Sequence, residues 1–332
     1  MSNTHLHNEN WDLKQDWTHY TFRKEEFPVC QLYFVDKRTG DEFTTEAQDA
    51  LVLKQAHNLY RSKYHIPFPV EIKAIREKYG LSALKMAEVL DFGVNSYRQY
   101  EQGEIPSLAN AKLIRLAGEP SQFLRFLEEK KDRFSPKAYE QTLEKIRLLQ
   151  HPDKLEPVVD YIWNFHTEAN EFTGFVKPQL KKVAHYVMFF AEKAKPMKTR
   201  LNKLLFFGDF LHFRQTGFAI SGCNYRAIPY GPVPSHFHEL FGLLEDQGFI
   251  RIESEMSENG NLGERFRANQ AFDASLFSEE ELAHMEKVVE AFAEVRTKDL
   301  IELSHAEKGW QENHAERSLI NYQNYAFHLQ SL

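Results

Sequence analysis

Cysteine is the scarcest reactive residue in this chain: Cys30 and Cys223 are the only two in 332 residues. Two thiols can make neither a disulfide framework nor a cysteine zinc site. That scarcity suits a reducing compartment, and the cytoplasm is the expected location. Long apolar runs are missing as well, and nothing approaches the roughly 20 residues that a membrane-spanning helix requires. The opening stretch MSNTHLHNENWDLKQDW lacks the basic-then-apolar pattern of a secretory leader. There is no glycine-rich phosphate loop, nucleophile elbow or HExxH pair. His236 and His238 in SHFHEL stand two apart, so one helix cannot present both to a metal. With Glu239, Asp209, His305 and His314 they read as chance neighbours among fifteen histidines. Arg200 and Arg226 are of a type that can hold phosphate, but surface arginines usually do not. No enzyme, metal or cofactor is expected.

What is present is an ordinary globular balance, 42% hydrophobic and 27% charged, in a chain too long for one compact core. Its net charge of −7 is unevenly spread. Residues 61–150 hold 16 Lys and Arg against 12 Asp and Glu, residues 1–60 hold 6 against 10, and residues 151–332 hold 19 against 26. A mildly basic middle between acidic flanks fits a short nucleic-acid reader attached to a protein-binding body.

Residues 1–60 begin with alternating aromatic patterns. Val29, Leu32, Phe34 and Phe43 around DKRTGD predict a small β-hairpin or meander. From Thr45 the period turns helical, through Ala47, Ala50, Leu51, Leu53 and Leu59, until IPFP breaks it. Residues 70–150 read as helix after helix, five short ones with two- to five-residue connections. Ser82 is a plausible N-cap, Gly93 a stop, and Pro106 with Ser107 an entry signal. The stretch LLQHPDKLEPVVDYIWNFHTEANEFTG reads as a linker. Beyond it come four amphipathic helices, with a β-hairpin at FIRIESEMSENGNLGERFRANQ around its Asn-Gly-Asn-Leu-Gly turn. The fold class is mainly α, or α+β overall.

In LSALKMAEVLDFGVNSYRQYEQG, Met86, Ala87, Leu90, Val94 and Tyr97 form an expected inward face, with Tyr100 a further candidate for it. Asn95, Ser96, Arg98, Gln99 and Gln102 are left outside. Asn and Gln can bond adenine bidentately and Arg can bond guanine, so this face has the chemistry of a base reader. A solvated bundle helix would show the same spacing. The segment GLSALKMAEVLDFGVNSYRQYEQGEIPSLANAKLIRL resembles the Cro/repressor-type helix-turn-helix, and most of all the subtype in MqsA-like antitoxins. NLYRSKYHIPFPVEIKAIREKYGLS resembles that family's lead-in. The resemblance implies base contacts from Asn95 and from Arg98 or Gln99, with Ser96 beside them. Two departures stand out. Ala83 replaces the family's phosphate-contacting Gln, and Cys30 alone cannot supply the family's N-terminal zinc ribbon. The region FPVCQLYFVDKRTGDEF thus looks like a ribbon without its metal, held by aromatic packing.

The segment KTRLNKLLFFGDFLHFRQTGFAISGCNYRAIPYGPVPSHFHELFGLLEDQGFI, with ELSHAEKGWQENH and SLINYQNYAF, resembles the Panacea (SocA-like antitoxin) domain over roughly 176–326. Members bind and neutralise small protein toxins encoded beside them, and some hand a toxin to a protease. In AIPYGPVPS, Gly231 between two prolines predicts a rigid loop. Tyr225, Tyr230 and Trp310 are the candidate toxin contacts, although aromatics so placed could equally pack the core.

Four parts are therefore expected: a degenerate, metal-free N-terminal module at 1–65, a five-helix DNA-binding domain at 66–150, a linker at 151–175, and a Panacea domain at 176–332. Together they describe an antitoxin of a type II toxin-antitoxin system, with a cognate protein toxin and operator DNA as partners. It would bind DNA as a homodimer and would not bind membrane. A transcriptional regulator whose C-terminal half senses a ligand or a non-toxin protein is the alternative.

Overall fold

The computed structural model describes residues 10–150, 156–163, 168–256 and 262–332. Strands β1 (Trp11–Phe22) and β2 (Glu25–Asp36) pair antiparallel from Trp11 opposite Asp36 to Phe22 opposite Glu25. A short β3 (Glu42–Phe43) adds to β2. The turn between β1 and β2 is Arg23 and Lys24, both at positive φ (48° and 69°). That geometry matches the right-handed strand twist but normally selects Asn and Gly. The sequence therefore announces only the second turn, DKRTGD, which joins β2 to β3. Trp11, Phe34 and Phe43 pack on one another with centroids 5.0–5.8 Å apart.

Helix α1 (Glu46–Lys63) starts at a capping box in which Thr45 and Gln48 satisfy each other's backbone N–H. It is buried on two sides. Val52, Ala56 and Tyr60 pack with Phe27 and Val29 of β2, and with Ile66, Ile105 and Ala111. Leu51 joins the C-terminal core, as does Cys30, which points to the opposite side of β2 from Val29.

The five expected helices are α2 (Pro69–Lys78), α3 (Ala83–Val89), α4 (Ser96–Glu101), α5 (Leu108–Gly118) and α6 (Pro120–Glu129). Their core includes Ile72, Tyr79, Met86, Ala87, Leu90, Tyr97, Ile114 and Phe123, with Tyr79 stacked on Phe123 at 3.8 Å. A sixth helix, α7 (Pro136–Leu149), buries Ile146 in the same core, so the unit has one helix more than expected.

The expected linker is not a free spacer. It carries α8 (Glu156–Ile162) and contributes Ile162, Trp163, Ala169 and Phe175 to the C-terminal core. Helix α9 (Leu180–Ala194) precedes α10 (Lys198–Thr216), of whose nineteen residues fourteen are buried. Helix α10 is thus the axis of the domain rather than an amphipathic surface helix. Next come β4 (Tyr225–Ile228) and β5 (Gly231–Pro234), α11 (Phe237–Asp246), and the expected hairpin of β6 (Ile250–Met256) and β7 (Leu262–Ala268). The Asn259, Gly260 and Asn261 of its turn lie outside the described residues. Helices α12 (Glu279–Phe292), α13 (Thr297–Ala306) and α14 (Lys308–Gln311), strand β8 (Leu319–Ile320) and helix α15 (Tyr322–Tyr325) complete the chain. Strand β8 pairs with β4, giving the order β5-β4-β8. No helix among the described residues is long and apolar enough to cross a membrane.

Helices α10 and α12 meet at His212 and His284, whose Nδ1 atoms are 2.8 Å apart. One ring must donate to the other's lone pair, so the contact needs at least one neutral imidazole. Burial is the main cause holding His212 well below the ordinary histidine range, and burial brings His284 down to about 4. A folded-state pKa below the unfolded value of about 6.5 means that unfolding takes up protons. This stability is present above pH 6.5 and is lost as pH falls from there toward 4, by about 3 kcal/mol for His284. Denaturation midpoints followed across that window should fall, and His284→Gln should make the slope shallower. An unchanged slope in that variant would count against the pair as its source.

Candidate functional site

The first candidate surface is α4. Its inner face is held at three points. Tyr97 donates its hydroxyl to the Ile72 carbonyl at 2.7 Å, Tyr100 accepts from Asn110 Nδ2 at 2.9 Å, and Glu101 pairs with Arg76 at 2.5 Å. Tyr97 and Tyr100 are buried, so their hydroxyls need these partners. The other face stays clear. Asn95, Arg98, Gln99 and Gln102 are exposed and follow the i, i+3, i+4, i+7 spacing of one helical stripe, with Ser96 half-buried beside them. Asn95 is the N-cap, yet its side chain makes no capping bond. The stripe is therefore a set of donors and acceptors on a short, firmly seated helix.

One expectation changes here. Val94, placed inward on spacing, is 70% exposed at the start of the same surface. Residues 90–95 form a turn with Asp91 at φ +54°, so helical spacing does not carry through it. Val94 thereby becomes an apolar neighbour of the polar stripe, of the kind that meets a thymine methyl. Ala83 opens α3 and packs against the helical core, as a methyl group should.

The second candidate surface is the segment AIPYGPV. It is a β-hairpin rather than a loop, with Ile228 opposite Gly231 and a two-residue turn of Pro229 and Tyr230. Three side chains from distant elements grip the turn's carbonyls. Lys203 Nζ donates to Pro232 at 3.0 Å, Trp310 Nε1 donates to Ile228 at 2.8 Å, and the His305 ring bonds to Pro229. Trp310 is itself stacked between His305 (3.8 Å) and His314 (4.3 Å). Gly231 sits at φ +96°, and a Cβ there would lie 2.5 Å from Ser304 Oγ and 2.6 Å from Lys203 Cε. Burial lowers Lys203 to about 7, and His305 is held below the ordinary range by burial and then by the Lys203 charge. Tyr230, at the tip, is 71% exposed.

Of the three aromatic candidates, only Tyr230 is fully presented. Tyr225 is completely buried, and its hydroxyl donates to Asp209 Oδ2 at 2.7 Å. It anchors the hairpin's base and is corrected from contact residue to core residue. Trp310 is half-buried and clamps the turn. Asp209 also accepts from the Ile220 and Ser221 backbone N–H groups at 2.8 Å each and from Ser221 Oγ at 2.5 Å. Burial pushes its carboxyl up to about 6 despite those bonds.

The two arginines of a type that can hold phosphate have structural roles. Arg200 donates to the carbonyls of Phe292 and Val295, and Arg226 donates to that of Arg317. Cys30 is buried, and burial pushes its thiol up to about 12, so it stays protonated. Among the described residues no three His, Cys, Asp or Glu groups are placed to hold a metal ion.

A pinned short helix with a clear polar stripe is thus joined to a helical body that presents a fixed turn. Family models match both parts. Residues 72–117 match Helix-turn-helix, and residues 201–311 match Antitoxin SocA-like, Panacea domain. The second match lies within the stretch over which the resemblance runs. Comparison with curated proteins and with solved structures finds no match. The chain thus combines a helix-turn-helix with an antitoxin-like Panacea domain, the architecture of an antitoxin-type DNA-binding regulator.

Gly231→Ala should destabilise the domain by about 1–3 kcal/mol, because it adds a strained φ to a close contact with Lys203 and Ser304. Tyr230→Ala should leave the melting temperature unchanged. Thermal denaturation of both variants checks the pair, and the reverse ranking would show that Tyr230 packs rather than projects.

Proposed function

We propose that the chain is an antitoxin that neutralises a cognate protein toxin by direct binding through its C-terminal domain and represses its own operon through α4. The observation that carries this reading is the turn at Tyr230. Three side chains from α10, α13 and α14 hold its carbonyls, so an exposed aromatic is presented without flexibility. Rigid, preorganised aromatics lose little entropy on docking and are enriched among residues that dominate interfaces. Neutralisation is occlusion of the toxin's working surface. It requires no catalysis, cofactor or metal, and the chain works in the cytoplasm as a protein-binding rather than an enzymatic component.

Operator reading falls to Asn95, Arg98 and Gln99, with Ser96 and Val94 at the edge of the same surface. The Asn and Gln amides suit adenine, the Arg guanidinium suits guanine, and Val94 suits a thymine methyl. The chain acts on DNA as a homodimer, because a single six-residue helix reads too few bases and helix-turn-helix readers pair half-sites.

The direct test is co-purification with the product of the adjoining gene. Tyr230→Ala should weaken that complex by about 2 kcal/mol or more while leaving DNA binding intact. Asn95→Ala combined with Gln99→Ala should do the opposite, costing about 1–3 kcal/mol per lost base contact on the upstream duplex. If the adjoining gene encodes no toxic product and co-expression rescues nothing, the C-terminal domain senses something other than a toxin.

A further inference from the structure

The N-terminal sheet and α1 have no task in that reading, yet they grip the DNA reader at one particular place. The loop 103–106 leaves the C-terminus of α4 and leads into α5. Gly103 is at φ +110° with open space around its missing Cβ, so glycine is needed there for the backbone path and not for room. Pro106 pushes Ile105 into extended backbone and brings no N–H of its own. The carbonyls of this loop therefore need donors from elsewhere.

Two arginines of the N-terminal module supply them. Arg61 on α1 donates to the Gly103 carbonyl at 2.6 Å. Arg23, at the tip of the β1–β2 hairpin, spans the next carbonyls with a fork, 2.9 Å to Ile105 and 3.4 Å to Pro106. Its guanidinium lies over the Phe22 and Tyr60 rings at 5.4 and 5.2 Å. Between the two arginines, the Ile105 side chain is buried in the module's own core with Phe27, Val52, Ala56 and Tyr60. The same helix α1 is fastened to the C-terminal domain from its other side. Asn58 Nδ2 donates to the Gly217 carbonyl at 2.9 Å, and Gln323 Nε2 donates to Gln55 Oε1 at 2.8 Å.

We propose that Arg23 and Arg61 are positioning residues for DNA reading. By holding loop 103–106 on the N-terminal module, they set where α4 stands relative to the C-terminal domain. The proposal rests on α4 being the base-reading helix. Stability alone does not account for Arg61. A buried guanidinium with one strong carbonyl bond and an unpartnered Nε gains little over an apolar side chain of similar size. What an apolar replacement cannot do is fix the loop.

The test uses the full chain and a duplex carrying the sequence immediately upstream of its reading frame. Three variants are compared with the wild type. Arg61→Met keeps the bulk. Arg23→Asn tolerates the positive φ but is too short to reach the carbonyls. Arg23→Lys keeps the charge without the fork. Each should bind the duplex roughly three- to thirtyfold more weakly, the range expected when a mutation uncouples neighbouring elements. Amide hydrogen exchange should speed up at residues 96–106, with the melting temperature and the complex made through Tyr230 unchanged. Wild-type affinity in Arg23→Lys would mean that charge alone suffices, which overturns the positioning role. So would exchange that speeds up uniformly with a lowered melting temperature. The control Asn95→Ala with Gln99→Ala separates the two levels. If it weakens binding and the arginine variants do not, the arginine proposal fails and the reading of α4 stands. If the wild type ignores the duplex, both fail.

Discussion

The Gln55 side chain is the contact on which the arrangement of the three bodies depends. It is fully buried on α1, accepts from the Cys30 N–H and donates to the Cys30 carbonyl, each at 2.8 Å, and also accepts from Gln323. One amide thereby completes a β-like pairing with β2 and fixes the C-terminal segment in the same place. Any replacement would leave buried backbone groups without partners, at about 1–3 kcal/mol each. That is a large share of a typical margin of stability. Because Gln55 lies between the stripe that meets β2 and the stripe that meets the C-terminal core, α1 cannot be a tether. It is a shared wall, and the described residues 10–65 contribute to the packing of both neighbours.

The turn at Tyr230 shows the same economy on a smaller scale. Lys203 is a costly residue to bury, and its lowered pKa measures that cost. Its Nζ can still donate to the Pro232 carbonyl whether charged or neutral, so the contact survives where an ion pair would not. The histidine and tryptophan of the SHAEKGW segment serve the neighbouring carbonyls in turn. Residues scattered from 203 to 310 thus converge on three carbonyls and leave a single aromatic side chain outside.

Much of this was legible in the sequence, and what was not has a common cause. Helix starts were legible because caps are local: Thr45, Ser82, Ser107 and Ser278 all accept from a backbone N–H three residues on. The inward face of the helix-turn-helix followed from period, with Met86, Ala87, Leu90 and Tyr97 all buried. Period failed at Val94, because the turn ahead of α4 breaks the phase. It failed again for α10, where burial on every side erases the polar face that marks a surface helix. Tyr225 and Tyr230 are chemically identical and five residues apart, and only long-range partners decide that one meets Asp209 while the other meets solvent. The Arg23 and Lys24 turn was hidden because its positive φ values fall on residues that rarely adopt them.

Charge gives the fixed arrangement a further physical meaning. The basic excess of residues 61–150 is only four, whereas residues 151–332 carry an acidic excess of seven. On a flexible linker the acidic body would sweep past any bound duplex, and phosphate repulsion would be averaged over every approach within a Debye length of about 8 Å. Packing the stretch around Ile162, Trp163 and Phe175 into the C-terminal core ties those residues to the acidic body. Seating loop 103–106 on α1, which also packs on that body, restricts the freedom from the other side. The distance between the acidic body and the helix-turn-helix is then set by packing rather than averaged by motion. On the proposed reading, so weakly basic a reader works beside so acidic a body because α1, packed on both, holds them in one orientation.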